Sequence, residues 1–450
     1  MTGTAFVTSG ADPIRDWHAL VRSAADPDLC ARLAERMRER RLTFGGRLLC
    51  PFLRPFFLDP ADEARIRRAA ETLWRLGERV ATVAAGDAQM LQYLGLSDEE
   101  IRLARIDPGY AVASTAARAD AFLLPESLQF AEYNAESPAG PAYSQGLAEL
   151  FDREPLMDRF RQRYDVHHYT PVPDLLDSLL QSYRDWGGAE WPPRVAIVDW
   201  RDVPTWSEFE LLRDAFTAGG VPTVIADPRD LVFEGGRLTA GGAAIDLVYR
   251  RVLINDMVAR AGECRALVDA YAARAVCVAN TLRCKIPHKK AFFAVLTDER
   301  YAPLFSAAER EVVAAHVPWT RVVRADLADD IRRRRERLVL KPNDEYGGTG
   351  VTLGWEADAS AWDAAIDRAL RESDRGWVAQ ERIAVRRDVF PVCEAGGVAE
   401  RDMLVDFAPY LFRGRVAGFL TRLSATGLAN VTSGGGQVPA FVVQSKERHR

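Results

Sequence analysis

The segment RADAFLLPESLQFAEYN, residues 118–134, consists of two alternating apolar and polar runs around a Pro-Glu-Ser turn, which predicts a β-hairpin. Pairing Leu124 with Leu128 sets Phe122 opposite Phe130, Asp120 opposite Glu132 and Arg118 opposite Asn134, with all of these side chains on one face. Two carboxylates opposed across a strand pair repel each other, so a compensating cation is expected beside them. Mg²⁺ is such a cation: hard, oxygen-liganded and held by one or two carboxylates while phosphates and water complete its shell. Read alone, the segment is equally a solvated hairpin with charges near its tip.

The rest of the chain narrows the choice. Its 450 residues allow two or three packed units, and 48% hydrophobic with 27% charged residues is ordinary for a globular protein. A net charge of −5 argues against a nucleic-acid footprint, so any phosphate-binding patch must be local. The one dense basic block, IRRRRER at 331–337, reads as the solvated face of a helix. Six cysteines without a C-x-x-C pair, and six histidines without ligand spacing, exclude a zinc site of familiar type and fit a reducing cytosol. The first residues carry no basic stretch followed by an apolar core, and no later run reaches membrane-span length. A cytoplasmic protein without membrane or nucleic-acid partners is expected.

Hydrophobic periodicity divides the chain. Residues 1–105 are mainly helical, with amphipathic spacing in PDLCARLAERMRERR and DEARIRRAAETLWRLGERVATVAAG. Residues 106–188 hold the hairpin, a helix running through LAELFDREPLMDRFRQRY and another, VPDLLDSLLQSYRDWGG, closed by glycines. In 189–280, RVAIVDW, VPTVIADP and IDLVYRRV are strands, with a helix between the first two, giving a right-handed parallel crossover and a small Rossmann-like unit. It has no G-x-G-x-x-G and is not read as a dinucleotide site. Residues 281–441 form a third region, and 442–450 a tail.

The third region carries the second chemical signal. In LVLKPNDEYGGTGV an apolar strand delivers Lys341 to its end, and Gly347, Gly348 and Gly350 let backbone N–H groups approach a ligand. A lysine beside such a nest suits a polyphosphate, although neither the Walker A nor the kinase glycine pattern is present. A tight hairpin turn with its lysine in solvent is the alternative. WVAQERI ends in Gln380 and Glu381, where main-chain groups can meet an adenine edge and an acid a ribose; a plain edge strand accounts for it equally.

Taken together, Lys290 at the start of KKAFFAVL, Lys341 before the glycine loop, the Gln-Glu strand and the E-x-N of the hairpin resemble the ATP-grasp superfamily. With E-x-N ahead of both lysines, the order is similar to the circularly permuted branch, which includes glutathionylspermidine synthetase and eukaryotic-type glutathione synthetase. R-x-D followed by E-Y-N-A-x-S resembles the former, and K-P-x-x-E-x-G-G the latter, over roughly residues 110–440. The resemblance implies an α/β fold with α+β ATP-grasp lobes, a Rossmann-like unit ahead of the nucleotide lobe and an N-terminal helical region. It also implies that Asp120, Glu132 and Asn134 bind two Mg²⁺ ions, with Glu345 a further ligand. Lys290 and Lys341 would contact ATP phosphates under a lid of Gly347, Gly348, Thr349 and Gly350, with Gln380 and Glu381 beside the base and Arg118 facing the transferred phosphoryl group. Lys285 and Lys289 lie so near Lys290 that the phosphate-binding lysine is left open among the three.

The chemistry so implied is carboxylate activation: an acyl phosphate forms, an amine displaces phosphate, and ADP is released. Arg118 and Lys341 are its expected catalytic residues, and a small-molecule carboxylate and an amine its substrates. A carboxylate kinase without ligation and a catalytically idle scaffold are the competing readings. No Cys/His nucleophile arrangement marks an amidase domain of the kind that accompanies some glutathionylspermidine synthetases, so acid and amine stay unspecified. Arg250, Arg251, Arg422 and Ser424 lie at strand ends where they can grip a substrate carboxylate or pair on the surface.

Overall fold

In the computed structural model, which describes residues 12–24, 26–345, 347–372, 376–394, 397–425 and 435–446, the hairpin is formed by Ala116–Leu124 and Ser127–Asn134. A tight turn at Pro125 and Glu126 pairs Leu124 with Ser127 and Leu123 with Leu128, one residue away from the register expected. A β-bulge past Ala121 and Phe130 then adds Ala131 to one strand, and this extra residue restores the expected pairs Asp120–Glu132 and Arg118–Asn134. Phe122 therefore faces Gln129 rather than Phe130. The physical reason is burial: Phe130 is completely enclosed against the helical side, whereas Phe122 stays half-buried on the face that carries Asp120.

This hairpin is one edge of a mixed-origin antiparallel sheet. Ala116–Leu124 pairs with Gly397–Phe412, which pairs with Arg415–Ser424 and, through it, Gly436–Val438. Arg386–Glu394 extends the other half of the long strand. Helix Pro60–Ala85 packs across this sheet; Asp59 caps it by accepting from the Ala61 N–H, and Ile66, Leu73, Leu76 and Val80 are its inward stripe.

A second, four-stranded antiparallel sheet runs Thr320–Val322, Trp377–Glu381, Leu338–Pro342, Thr352–Leu353. Its apolar back, with Leu338 and Leu340, is covered by Trp362, Ile366 and Ala369 of helix Ala359–Arg371. The arginine run before it is a surface ion-pair helix, with Arg332 matched to Asp329, Asp363 and Asp367.

The Rossmann-like unit has four parallel strands in the spatial order Cys277–Ala279, Leu247–Arg250, Val195–Val198, Thr223–Ala226. Crossover helix Trp206–Ala218 buries Phe209, Leu212 and Phe216. The fourth strand and the small meander Leu231–Glu234, Arg237–Ala240, Ala243–Ala244 are additions to the sequence reading. Asn280, just beyond that fourth strand, accepts from the Ala116 N–H (2.8 Å) and donates to the carbonyls of Ala116 (2.6 Å), Ala135 (2.7 Å) and Glu136 (2.9 Å), fastening the unit to the start of the first hairpin strand and to the chain just past the second.

Three further expectations are corrected. The helix read through LAELFDREPLMDRFRQRY breaks: Pro141–Asp152 ends, Glu154 is extended, and Pro155, which has no N–H to donate, begins Pro155–Phe160. Residues 442–445, expected within a tail, belong to strand Ala440–Ser445, which pairs with both Phe56–Leu58 and Tyr164–His167. Cys30 and Cys393, 363 residues apart, form a disulfide, so the six cysteines are not all thiols; the remaining four are buried.

Replacing Asn280 by alanine leaves several buried main-chain polar groups unpaired, and it should lower unfolding free energy by about 3 kcal/mol. Urea denaturation checks this; a midpoint equal to that of the unsubstituted protein contradicts the fastening role.

Candidate active site

Asp120 is the fixed point of the site. Its carboxylate, 4% exposed, accepts from Arg118 Nε (2.7 Å) and Nη2 (3.1 Å) and from Arg422 Nη2 (2.6 Å). Burial alone would raise this carboxyl; the two guanidiniums outweigh it and hold it well below the ordinary carboxylate range. Arg422 also donates from Nε to Asp406 Oδ2 (2.6 Å), its partner across the strand pair. Burial, with the Asp120 charge adding to it against the opposing Arg422, pushes the Asp406 carboxyl up to about 7, and Asp406 Oδ1 has no hydrogen-bond partner. Sequence reasoning missed Asp406; an acid set inside the otherwise apolar run MLVDFAPYLF was the available signal.

The charge opposite Glu132 is thus supplied, at Asp120, by guanidinium. Glu132 itself is freer, with its side chain 29% exposed. It accepts from Asn134 Nδ2 (3.2 Å), and Lys290 Nζ lies 3.5 Å from its other oxygen. Among the described residues no group of three or more His, Cys, Asp or Glu is placed to hold a metal ion. The donor set still suits Mg²⁺, which needs only one or two carboxylates when phosphates and water fill its shell. Glu132, Asn134 and the exposed Glu345 are the accessible oxygen donors, whereas both oxygens of Asp120 are already engaged.

The lysines separate by partner. Lys285 Nζ bonds Asp344 (2.7 Å) and lies near Glu136 (3.4 Å) and Glu100 (3.6 Å). Lys289 Nζ bonds Glu100 (2.9 Å) and Asp344 (2.9 Å). Both are buried structural cations. Lys290 is different: its Nζ donates to the Glu345 carbonyl (2.6 Å) and faces Glu132. Its neighbour strand is stapled to it, since Lys290 N–H donates to Asn343 O (2.9 Å) and Ala291 N–H to Asn343 Oδ1 (2.8 Å).

Lys341 donates to Gln380 Oε1 (2.6 Å) and the bulge carbonyl of Ala131 (3.2 Å). Burial lowers its ammonium to about 8, with Glu132 opposing and Lys290 adding to the shift. Gln380 therefore serves Lys341 through its side chain. Glu381 N–H donates to Trp319 O (2.8 Å), so this amide is not open to a base edge as the sequence reading allowed, and the next amide, of Arg382, is likewise engaged by Arg337 O (2.7 Å). Beyond them Val339, Leu353, Trp355 and Ile383 form an apolar slot. Gly347, Gly348 and Gly350 all have left-handed backbone, φ 66°, 78° and 73°, and a Cβ on Gly350 would lie 2.7 Å from Pro342 Cγ. Thr349 sits exposed between them, in the same cavity wall.

Two cavities meet here. One is walled by the slot, Lys290, Lys341 and the glycine loop; the other runs from Arg118 and Asn134 to the carboxyl ends of the Rossmann-like strands. Glu132, Gly347 and Arg422 line both. Of the strand-end arginines, Arg250 is wholly buried against Asn280 O, Val252 O and Glu136 and serves structure, while Arg251 lines the second cavity. Ser424 pairs with Leu404 in the sheet.

Comparison with known proteins places the chain in a family. The profile of the family "Circularly permuted ATP-grasp type 2" matches residues 125–429. An uncharacterized protein from Mycobacterium tuberculosis (strain H37Rv) is 24% identical over 332 residues, covering 69% of this chain and 57% of its own length. A putative glutamate–cysteine ligase from Frankia casuarinae is 23% identical over 329 residues, covering 69% of this chain and 36% of its own. The chain thus spans little more than half, or less, of these relatives. The structure of a glutathione synthetase like-effector from Globodera pallida, in apo form, superposes with a TM-score of 0.60 at 11% identity, covering 98% of this chain and all of that one, which establishes likeness of fold. The profile match spans most of the chain, and the protein belongs to the circularly permuted ATP-grasp type 2 family.

Proposed function

We propose that the protein is an ATP- and Mg²⁺-dependent carboxylate–amine ligase acting through an acyl phosphate. The observation that carries this reading is the junction of the two cavities at Glu132, Arg422 and Gly347, where a nucleotide on one side and an acceptor on the other share one wall. The slot takes the base, and Lys290, Lys341 and the N–H groups of Gly347 to Gly350 take the phosphates. Glu132 and Asn134 hold Mg²⁺ with help from Glu345; the ion, when bound, adds positive charge against the terminal phosphates. Asp120 keeps Arg118 and Arg422 aimed at the junction.

A carboxylate oxygen of the acid substrate attacks the γ-phosphorus, and the bond to the β-phosphate oxygen breaks, leaving ADP. Arg422 Nη1, which makes no hydrogen bond among the described residues, is the free donor for the charge that accumulates on the transferred group. An amine then attacks the acyl carbon, loses a proton, and expels phosphate carrying one former carboxylate oxygen. The naming of one relative as a putative glutamate–cysteine ligase supports amide formation of this kind.

Labelling the substrate carboxylate with heavy oxygen tests the route: label should appear in inorganic phosphate beside ADP. Label in AMP would overturn it, and a stable phosphorylated product formed without amine would identify a kinase instead. Glu132→Gln should reduce ADP formation by ~100-fold or more while the protein remains folded; unchanged Mg²⁺-dependent turnover would remove this carboxylate from the site.

Lys341 also sets a pH dependence. Its ammonium is lowered to about 8 in the folded protein, below the ordinary lysine value, so the positive charge offered to phosphate fades as pH rises through 8. Between that value and the unfolded lysine value, the unfolded chain binds more protons, so this group's contribution to stability rises with pH. Nucleotide affinity should therefore fall between pH 7 and 9, measured by calorimetric titration, while Lys341→Arg should flatten the profile.

A further inference from the structure

The second cavity ends beside a buried cation and a buried anion that form no salt bridge with each other. In the Rossmann-like sheet the first strand in sequence, Val195–Val198, lies beside the third, Leu247–Arg250, and the chain runs from them in opposite directions across the sheet. Ligands of open α/β sheets sit in the crevice at the carboxyl ends of such a strand pair. Those ends carry Asp199 and Arg251, and both line the cavity.

Arg251 is only 5% exposed. It donates from Nη1 to Pro138 O (2.6 Å) and Tyr249 Oη (3.1 Å), but its Nε has no hydrogen-bond partner, and among the described residues no carboxylate is paired with it. Asp199 is 8% exposed; one oxygen accepts from the Trp200 N–H (2.8 Å), and no cation is paired with it either. The two groups feel each other's charge without closing into a salt bridge. Burial raises the Asp199 carboxyl to about 6, with Arg251 opposing. Arg251 is stabilised at a distance by Glu208 and by Asp199, yet among the described residues no carboxylate touches it and its buried Nε–H has no acceptor; one molecule bearing both a carboxylate and an ammonium engages Arg251 and Asp199 together.

We infer that Asp199 and Arg251 form a subsite for the head group of a free α-amino acid, Arg251 receiving its carboxylate and Asp199 its ammonium. Asp256 and Asn255, on the same wall, supply further acceptors around the ammonium. Arg251 and Arg118 donate to the consecutive carbonyls of Pro138 and Ala139, so the subsite lies within ~10 Å of the junction, the reach of a single amino acid with its side chain. The inference rests on the ligase reading in that it names the class of one of its substrates.

The test is calorimetric titration of the full chain with each of the twenty common L-amino acids, with and without a non-hydrolysable MgATP analogue, the analogue being titrated separately. At least one amino acid should bind, and the same molecule lacking either its α-amino or its α-carboxyl group should bind about tenfold more weakly or worse. Asp199→Asn should weaken the amino acid about tenfold and leave the deaminated acid and the nucleotide unaffected. Arg251→Lys, which keeps the charge but loses the fork, should weaken the amino acid and the deaminated acid alike, with Tm recorded to establish that it is folded. Absence of any amino-acid binding, equal binding of the deaminated analogue, or indifference to Asp199→Asn overturns the inference. Failure of the nucleotide analogue to bind overturns the ligase reading instead.

Discussion

A single carboxylate between two guanidiniums organises this protein. Asp120 takes three hydrogen bonds, two from Arg118 on its own strand and one from Arg422 two strands away, and Arg422 in turn is shared with Asp406. Arg118, Asp120 and Asp406 are buried and Arg422 is half-buried, so removing Asp120 would strand two guanidiniums without their shared carboxylate, a loss of about 3 kcal/mol or more. Held together, the four groups lock three neighbouring strands in register and present one arginine edge where two cavities join.

Around that lock the protein places positive charge by giving each lysine a different fate. Lys285 and Lys289 are consumed by Glu100, Glu136 and Asp344, while Lys290, one residue later, turns to Glu132 and the glycine loop. Asp344 is thereby anchored just ahead of that loop, which gives the glycines a rigid footing from which to bend. The same economy governs Gln380, whose amide oxygen fixes Lys341 and whose nitrogen reaches Thr320 (3.3 Å).

How much of this was legible depended on the range of the interaction. The opposition of Asp120 and Glu132 could be read because strand alternation is local, although the turn was placed one residue off and only the bulge at Ala131 brought the pair back into line. The parallel crossover and the lysine before the glycine loop were legible for the same reason. Choosing among three nearby lysines was not, because the decision is made by acids far along the chain. Asp406 showed only as an acid inside an apolar strand, with its partner Arg422 on another strand, and Cys30 with Cys393 gave no spacing signal. Asp199 carried only a positional hint, as the residue after the first Rossmann-like strand; its significance came from where the third strand lies.

The lock between Asp120 and Arg422 closes across 302 residues of chain, and this orders events during synthesis. The hairpin leaves the ribosome with its acids opposed and only Arg118 nearby. At ~5–20 residues per second, Arg422 follows some 15–60 s later. For most of that interval, until Gly397–Phe412 is made, the hairpin has an unpaired edge and no sheet to join. The nascent chain is therefore most exposed to wrong strand pairing after the two opposed acids of the hairpin have been made and before the arginine that binds Asp120 exists.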